Sequence, residues 1–367
     1  MLIVQKLYLK DFLRTLALLC IGLSLVFSII GLIDKIDDFM PYKPPAGLLL
    51  LYTVLTVPKY LQYLLAMATL LSSLLIFSQA VKRKEIVAIK AASGKMKSIL
   101  MPFVGLGVLL TLTGFLLGEA VIPAASKEVR KVKNRITKSK KGVSFKEGTL
   151  YMRARDGSIV RIGLYLPDLN LSKEVSIFTF AAEAVKERIN AETALWEGNR
   201  WKLRKVTVYD LATGKTTSLP ELVYPNIESP KIFQEDLWEV SEMNLVELSR
   251  YRTRLNEAGF RNVKLAVDIS SRLSYPLINL FMLLLGMSLS LGGEQRIFRK
   301  ILPHKSQTHG GIIAAGLGLL ISLIYWFGYS LFLSLGYAGA IPPFIAPWIV
   351  PVVFAAAAVS LYRQIPE

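Results

Sequence analysis

An α-helical membrane protein of six transmembrane helices, with an antiparallel β domain inserted after the third, is the fold class this sequence predicts. Three observations carry the prediction. The 367 residues are 53% hydrophobic yet carry a formal charge of +17, and the mean hydropathy of +0.44 exceeds that of ordinary soluble domains. Uncharged stretches long enough to cross a bilayer recur in both halves of the chain. Between them lies a polar interval whose hydrophobic pattern changes from helical to alternating. Basic loops on a membrane protein explain the charge better than nucleic-acid binding, which needs a basic surface on a folded soluble module with stacking or groove-entering elements.

The first uncharged window is Thr15–Ile33, and no small-residue cleavage site follows it, so it reads as a span and not as a cleaved signal. The second lies within Tyr60–Val81, after an apolar lead-in from Pro44 to Pro58, and the third is Ser98–Gly118. The fourth is Leu273–Gly293. Gly310 to Tyr362 holds no charged residue and is long enough for two spans, with the helix-breaking GYAGAIPPF (Gly336–Phe344) as the turn between them. Cys20, the single cysteine, lies in an apolar run and excludes an internal disulfide framework.

Lys and Arg in the short loops set the expected orientation. Lys6, Lys10 and Arg14 precede the first span. Lys82, Arg83, Lys84, Lys90, Lys95 and Lys97 fill the second-to-third loop, and Arg296, Arg299, Lys300 and Lys305 the fourth-to-fifth. Asp34–Pro45 offsets two lysines with three aspartates, and the fifth-to-sixth turn has no base. Both termini are therefore expected in the cytoplasm and the large interval on the far, periplasmic side. The expected division is residues 1–118 for the first three spans, 119–266 for the β domain with flanking helices, and 267–367 for the last three spans.

Within the interval, Thr149–Gly163 has two β-rich runs around Asp156-Gly157, a strong hairpin signal. VSIFTF and ALWEGNRWKLRKVTVYDLATGKTTSL add strands separated by Gly-Asn and Thr-Gly turns. The pattern predicts a sandwich or jellyroll-like domain. Leu245, Leu248, Arg252 and Leu255 then fall at helical spacing, closed by Gly259.

Chemistry-bearing motifs are few. ATGKTT (Ala212–Thr217) is similar to part of a phosphate-binding loop, but Tyr209 stands where the motif requires its first Gly, and a hairpin turn explains it better. SGKMKS (Ser93–Ser98) fails likewise at Ile89. His304 and His309 lie in a basic loop without a third ligand, a poor metal site. No catalytic constellation stands out, so neither an enzyme activity nor a cofactor is expected. The second-to-third loop is different. Ala80 to Ala92 contains no Gly or Pro, is rich in helix formers, and ends near Gly94, a natural helix stop. Its lysines are explained by orientation alone. The lone acid Glu85, the flank of Ile86 and Ile89, and the alanines Ala88, Ala91 and Ala92 are not; a short cytoplasmic helix that docks on a separate motor ATPase accounts for them.

Several segments together resemble the LptF/LptG (YjgP/YjgQ) permease family of the lipopolysaccharide exporter over nearly the whole length. They are GLIDKIDDF (Gly31–Phe39), YTVLTVPKYLQ (Tyr52–Gln62), KEIVAIKAASG (Lys84–Gly94), GEAVIP (Gly118–Pro123) and AIPPF (Ala340–Phe344). The aspartate-rich first loop resembles LptG more than LptF. The resemblance implies a permease pair on an LptB ATPase dimer, which extracts lipopolysaccharide from the inner membrane and passes it through β-jellyroll domains to LptC and the periplasmic bridge. It implies a coupling helix at about residues 80–93, with Glu85 the acid that pairs with a base on the ATPase, and Arg83, Ile86, Ile89 and Gly94 beside it. It also implies that Lys35, Lys43, Arg130 and Lys133 meet lipid A phosphates, a role suited to Lys and Arg. The family pattern has a base where this chain has Asp34, with Lys35 one step later. Residues 127–141 are strongly basic with Glu128 as their only acid, and a solvated stalk that attracts anionic head groups in general explains them as well. Two rival readings remain open: a mechanotransmitting ABC permease for another envelope lipid or lipoprotein, and a membrane-anchored periplasmic scaffold.

Overall fold

The computed structural model of the chain describes every residue except 1–2, 93–95, 138–142, 147–148, 155, 167–169, 182–183, 198–199, 212, 228, 231–241, 258–261, 294–309 and 366–367. Gly94, Gly259, the basic loop Arg296–Lys305 and both histidines thus lie outside the described residues. The chain forms two compact units, Met1–Lys138 with Asn262–Glu367, and Ser139–Arg261.

Six helical segments in the first unit are long and apolar enough to cross a membrane. The first is α1 (Ile3–Ile33), which begins before the uncharged window because Lys6, Lys10 and Arg14 continue the same helix. A one-turn helix α2 (Ile36–Phe39) and a 3₁₀ turn (Met40–Tyr42) follow, ending at Lys43 in the left-handed region (φ 45). Helix α3 (Ala46–Lys82) is a single 37-residue helix. The sequence divides it into a lead-in and a span at Pro58-Lys59, but a lone proline removes only one internal hydrogen bond, and the helix continues through it. After α4 (Glu85–Ala91), α5 (Met96–Leu116) passes through a π turn (Leu117–Val121) into α6 (Ile122–Ile136).

Helix α6 clusters with the helical unit, which runs to Lys138. The reason is packing: Val132 and Ile136 are buried against Phe39, with Leu32, Leu48, Tyr52 and Leu55 around them. The fourth span is α8 (Val263–Ser274), a 3₁₀ turn over Tyr275–Leu277, and α9 (Ile278–Ser288). Pro276 sits in that turn, where its missing N–H interrupts the α ladder. Helices α10 (Gly310–Tyr337) and α11 (Ile349–Arg363) are joined by a turn with Gly339 at φ 75 and Pro342-Pro343, as the sequence predicts.

The core of this unit is held by α3. Leu70, Leu74 and Phe77 pack with Phe12 of α1, Leu100 and Phe103 of α5, and Met282, Leu283 and Met287 of α9. Helices α3 and α9 approach so closely that a Cβ on Gly286 would lie 1.7 Å from Ser73 Oγ and 3.0 Å from the Leu70 carbonyl. Small residues permit such contacts where lipid and side chain are equally apolar.

The second unit is a seven-stranded antiparallel sheet in which each strand pairs with its sequence neighbour. The strands are β1 (Val143–Lys146), β2 (Thr149–Arg153), β3 (Ile159–Leu166), β4 (Leu171–Ala181), β5 (Ala184–Glu197), β6 (Arg200–Asp210) and β7 (Thr216–Tyr224). The antiparallel β domain is as expected; its connectivity is an open meander, without the crossovers of a jelly roll. The sheet is nonetheless rolled. Asp156, in the β2–β3 turn, accepts hydrogen bonds from Tyr224 Oη (2.7 Å) and Asn226 Nδ2 (2.9 Å) just beyond β7, and from Ser158 N (3.0 Å) and Oγ (2.6 Å). The last strand is thereby brought to the second, around Met152, Ile162, Ile177, Ile189, Trp201 and Leu203. Thr213 and Gly214 form the β6–β7 turn, so the ATGKTT segment is a hairpin end. Helix α7 (Leu245–Glu257) carries a reciprocal cap, Glu247 N to Asn244 Oδ1 (2.8 Å) and Asn244 N to Glu247 Oε2 (3.0 Å), and buries Leu248 and Tyr251.

Candidate functional sites

The short helix between the second and third spans is real and sharply placed. Helix α3 ends at Lys82, and Lys84 in the left-handed region (φ 59) reverses the chain so that α4 begins at Glu85. A left-handed Lys is uncommon and costs backbone strain, so packing must hold the reversal. Ile86 and Ile89 do this: both are half-buried and pack against the main core. The apolar flank read from the sequence therefore turns inward and seats the helix on its own protein. What α4 presents outward is Val87, 64% exposed, with Ala88 and Ala91, a small apolar surface with Lys82, Arg83 and Lys84 exposed beside it. Val87 was not singled out from the sequence; its position about 100° round the helical wheel from Ile86 and about 160° from Ile89 carries the only signal.

Glu85 stands at the N-terminus of α4, where a carboxylate is favoured. Arg83 Nη1 lies 3.9 Å from its Oε1. Tyr8 of α1 donates its hydroxyl to Oε2. The sequence reading missed Tyr8, because 77 residues separate the partners and one tyrosine at the foot of an apolar helix carries no distinguishing pattern.

At the other end of the helical unit the four expected lipid-contacting bases fall on segments gathered by one small core. Phe39 closes α2, Tyr52 and Leu48 begin α3, and Val132 and Ile136 line α6. Lys35 precedes α2, exposed and paired with Asp38 at 3.3 Å; Lys43 is exposed after the 3₁₀ turn. Arg130 and Lys133 are three apart on α6, away from its buried Val132–Ile136 stripe; Arg130 is half-buried and Lys133 exposed. Lys131 pairs with Glu128 at 2.6 Å. The structure thus brings the four bases to one end of the bundle, on three neighbouring segments.

The uncharged windows also passed over a set of polar ties at this end. Arg272 Nη1 of α8 meets Glu119 Oε1 of the π turn at 3.3 Å, both side chains 16% exposed. Four residues earlier, Asp268 accepts from Tyr337 Oη of α10 at 2.6 Å. Trp348 Nε1 donates to Ser270 Oγ, which donates to the Phe344 carbonyl, each at 3.0 Å. Asp268 and Arg272, four apart in a helix that runs into an apolar span, are the sequence signal that could have revealed this face. Among the described residues no group of His, Cys, Asp and Glu could hold a metal ion.

Six helices apolar enough to cross a membrane, interrupted by an antiparallel β sheet and with a short helix packed between the second and third spans, define a multi-pass membrane protein. The chain belongs to the lipopolysaccharide export system permease LptF/LptG family, whose model matches residues 6–364. A comparison with curated proteins returned no match.

Proposed function

We propose that this chain is the permease subunit that extracts lipopolysaccharide from the bacterial inner membrane and passes it to the periplasmic bridge, driven by a separate LptB ATPase dimer. The observation that carries this reading is α4, clamped to the core by Ile86 and Ile89 while Glu85, Val87 and Ala88 remain available to a partner. A motor gripping such a helix moves the bundle with it, and ATP is consumed by the motor, so the permease itself uses no cofactor.

Both termini and α4 lie in the cytoplasm in this reading, as the Lys/Arg bias requires, and the β unit is periplasmic, where it meets LptC. The first and fifth spans form a lateral gate against a paired permease; the large apolar side chains they expose, such as Phe27 and Ile30 on α1 and Trp326 and Phe327 on α10, suit lipid and partner alike. Of the two family branches LptG is favoured by Asp34, Asp37 and Asp38, which makes the paired permease LptF. Lys35, Lys43, Arg130 and Lys133 receive the lipid A phosphates.

Glu85→Arg is expected to leave the protein inserted but to lower ATP-driven lipid release from reconstituted vesicles. Release at the unaltered rate would sink the docking assignment. Reversing charge at Arg130 and Lys133 is expected to weaken photocrosslinking to lipopolysaccharide; undiminished crosslinking would leave α6 a general anionic stalk.

A further inference from the structure

The contact between Tyr8 and Glu85 reaches across the chain to a helix that the docking reading does not involve. Tyr8 belongs to a buried stripe on α1, Gln5, Tyr8, Phe12, Leu16, Cys20, Ser24 and Ser28. Successive members are three or four residues apart, so the stripe faces one way along the helix. Its first three members are fixed to α5, to α3 and α4, and again to α5. Gln5 Nε2 donates to the Ser98 carbonyl of α5 at 2.9 Å. The Tyr8 ring, 7% exposed, stacks on Phe77 of α3 with centroids 6.1 Å apart, and its hydroxyl reaches Glu85 of α4. Phe12 meets Phe103 of α5 edge-on at 5.8 Å.

Among the described residues Glu85 has two partners of unequal weight. The Arg83 guanidinium is 70% exposed and 3.9 Å away, an ion pair of the kind that contributes little in water. The Tyr8 hydroxyl is held by its buried ring and donates to a carboxylate, a charge-assisted bond. It occupies one acceptor site on Oε2. A carboxylate offers about four, and the Glu85 side chain is 39% exposed, so Oε1 can still meet a cation from a partner.

We infer that Tyr8 is a positioning residue that ties the docking helix to the first span. By holding the Glu85 carboxylate against α1, it delivers a displacement of α4 directly to α1, in addition to the core on which Ile86 and Ile89 seat the helix. Helix α1 then carries the movement along its 31 residues, a rod of about 46 Å at 1.5 Å per residue. The inference rests on the reading of α4 as the docking helix.

The test uses the intact complex of this chain with its ATPase and paired permease, in vesicles loaded with lipopolysaccharide, and reads lipid released per ATP hydrolysed. Tyr8→Phe keeps the ring and its stacking and removes only the hydroxyl. It is expected to lower that ratio by at least about fivefold, the lower end of ordinary inter-site coupling. In a Glu85→Ala background the same change is expected to have no further effect, because the two residues act through one contact. An unchanged ratio in Tyr8→Phe, or an equal loss in both backgrounds, overturns the inference. If Glu85→Arg leaves release unaltered, the docking reading itself falls. If Glu85→Arg blocks release while Tyr8→Phe is silent, only the tie to α1 falls.

Discussion

Phe12 and Leu13 are neighbours on α1; the first is fully buried and the second 42% exposed, and both are apolar. In the β unit, neighbours differ in kind as well as in burial: Trp201 and Leu203 of β6 are buried while Arg200 and Arg204 are exposed. The β sheet is thus assembled by removing apolar side chains from water, and its sequence records which face is inside. The helical bundle sits among chains as apolar as its own side chains, so hydrophobicity does not say which face packs. Its arrangement depends instead on close approach of small residues and on polar ties between helices. The same α1 illustrates this, with 22% of its apolar window buried against 67% for α3.

The sharpest way to break this comparison is to fill the α3–α9 contact. Gly286→Leu places side-chain atoms where Ser73 and the Leu70 carbonyl stand, and no monodisperse protein is expected on size exclusion in detergent. Leu13→Ala, on an exposed face of the same unit, is expected to change stability by no more than about 0.5 kcal/mol. In the β unit the corresponding lesion is Trp201→Ala, which leaves a cavity beneath Trp196 and costs about 3–5 kcal/mol. Hydrogen exchange on the full chain would show it as lost protection in β5, β6 and β7 with the helical peptides unmoved.

A polar tie should weigh less. Removing either Glu119 or Arg272 strands the other half-paired in a low-dielectric setting and is expected to cost up to about 3 kcal/mol, read as a lower melting temperature in detergent. Replacing both with apolar residues of similar volume should recover most of that loss, since the desolvation penalty disappears with the charges.

The smallest effect is a pH step at the roll of the sheet. Burial pushes the Asp156 carboxyl up, but hydrogen bonds from Ser158, Tyr224 and Asn226 outweigh it and hold the group at about 2, below its ordinary 3.8. A lowered folded-state value stabilises above the ordinary value and is lost as pH falls through the lowered one. Protection of β7 amides should therefore decline between pH 3.8 and about 2, and Asp156→Asn should remove that step. A decline of the same size in the variant would assign it to other carboxylates.

The legibility of each part follows the same division. The β2–β3 hairpin was readable because Asp156-Gly157 imposes a turn whatever surrounds it, and Gly157 takes φ 85 there. Most of β5 was not, since Lys186, Glu187, Arg188 and Glu192 hide the alternation of buried Ile189 and Ala191. At α4, Glu85 and the apolar flank stood out because the charge bias that explains the lysines does not explain them. That Ile86 and Ile89 face inward did not, because a seven-residue helix has the same pattern whichever side packs.

The sequence by itself determined the number of spans, the site of the insertion, its antiparallel character and the placing of a short helix after the second span. Each depends on a local quantity: the length of an apolar run, the period of a pattern, a turn residue, a charge bias. Only the tertiary structure decided that Tyr8 holds Glu85, that Arg272 meets Glu119, and that Tyr224 and Asn226 close on Asp156. These partners lie 77, 153, 68 and 70 residues apart. A polar side chain at the edge of an apolar helix or in a turn has many partners open to it, and the packing of Phe77, Ser73 and Gly286, or the roll of the sheet, selects one.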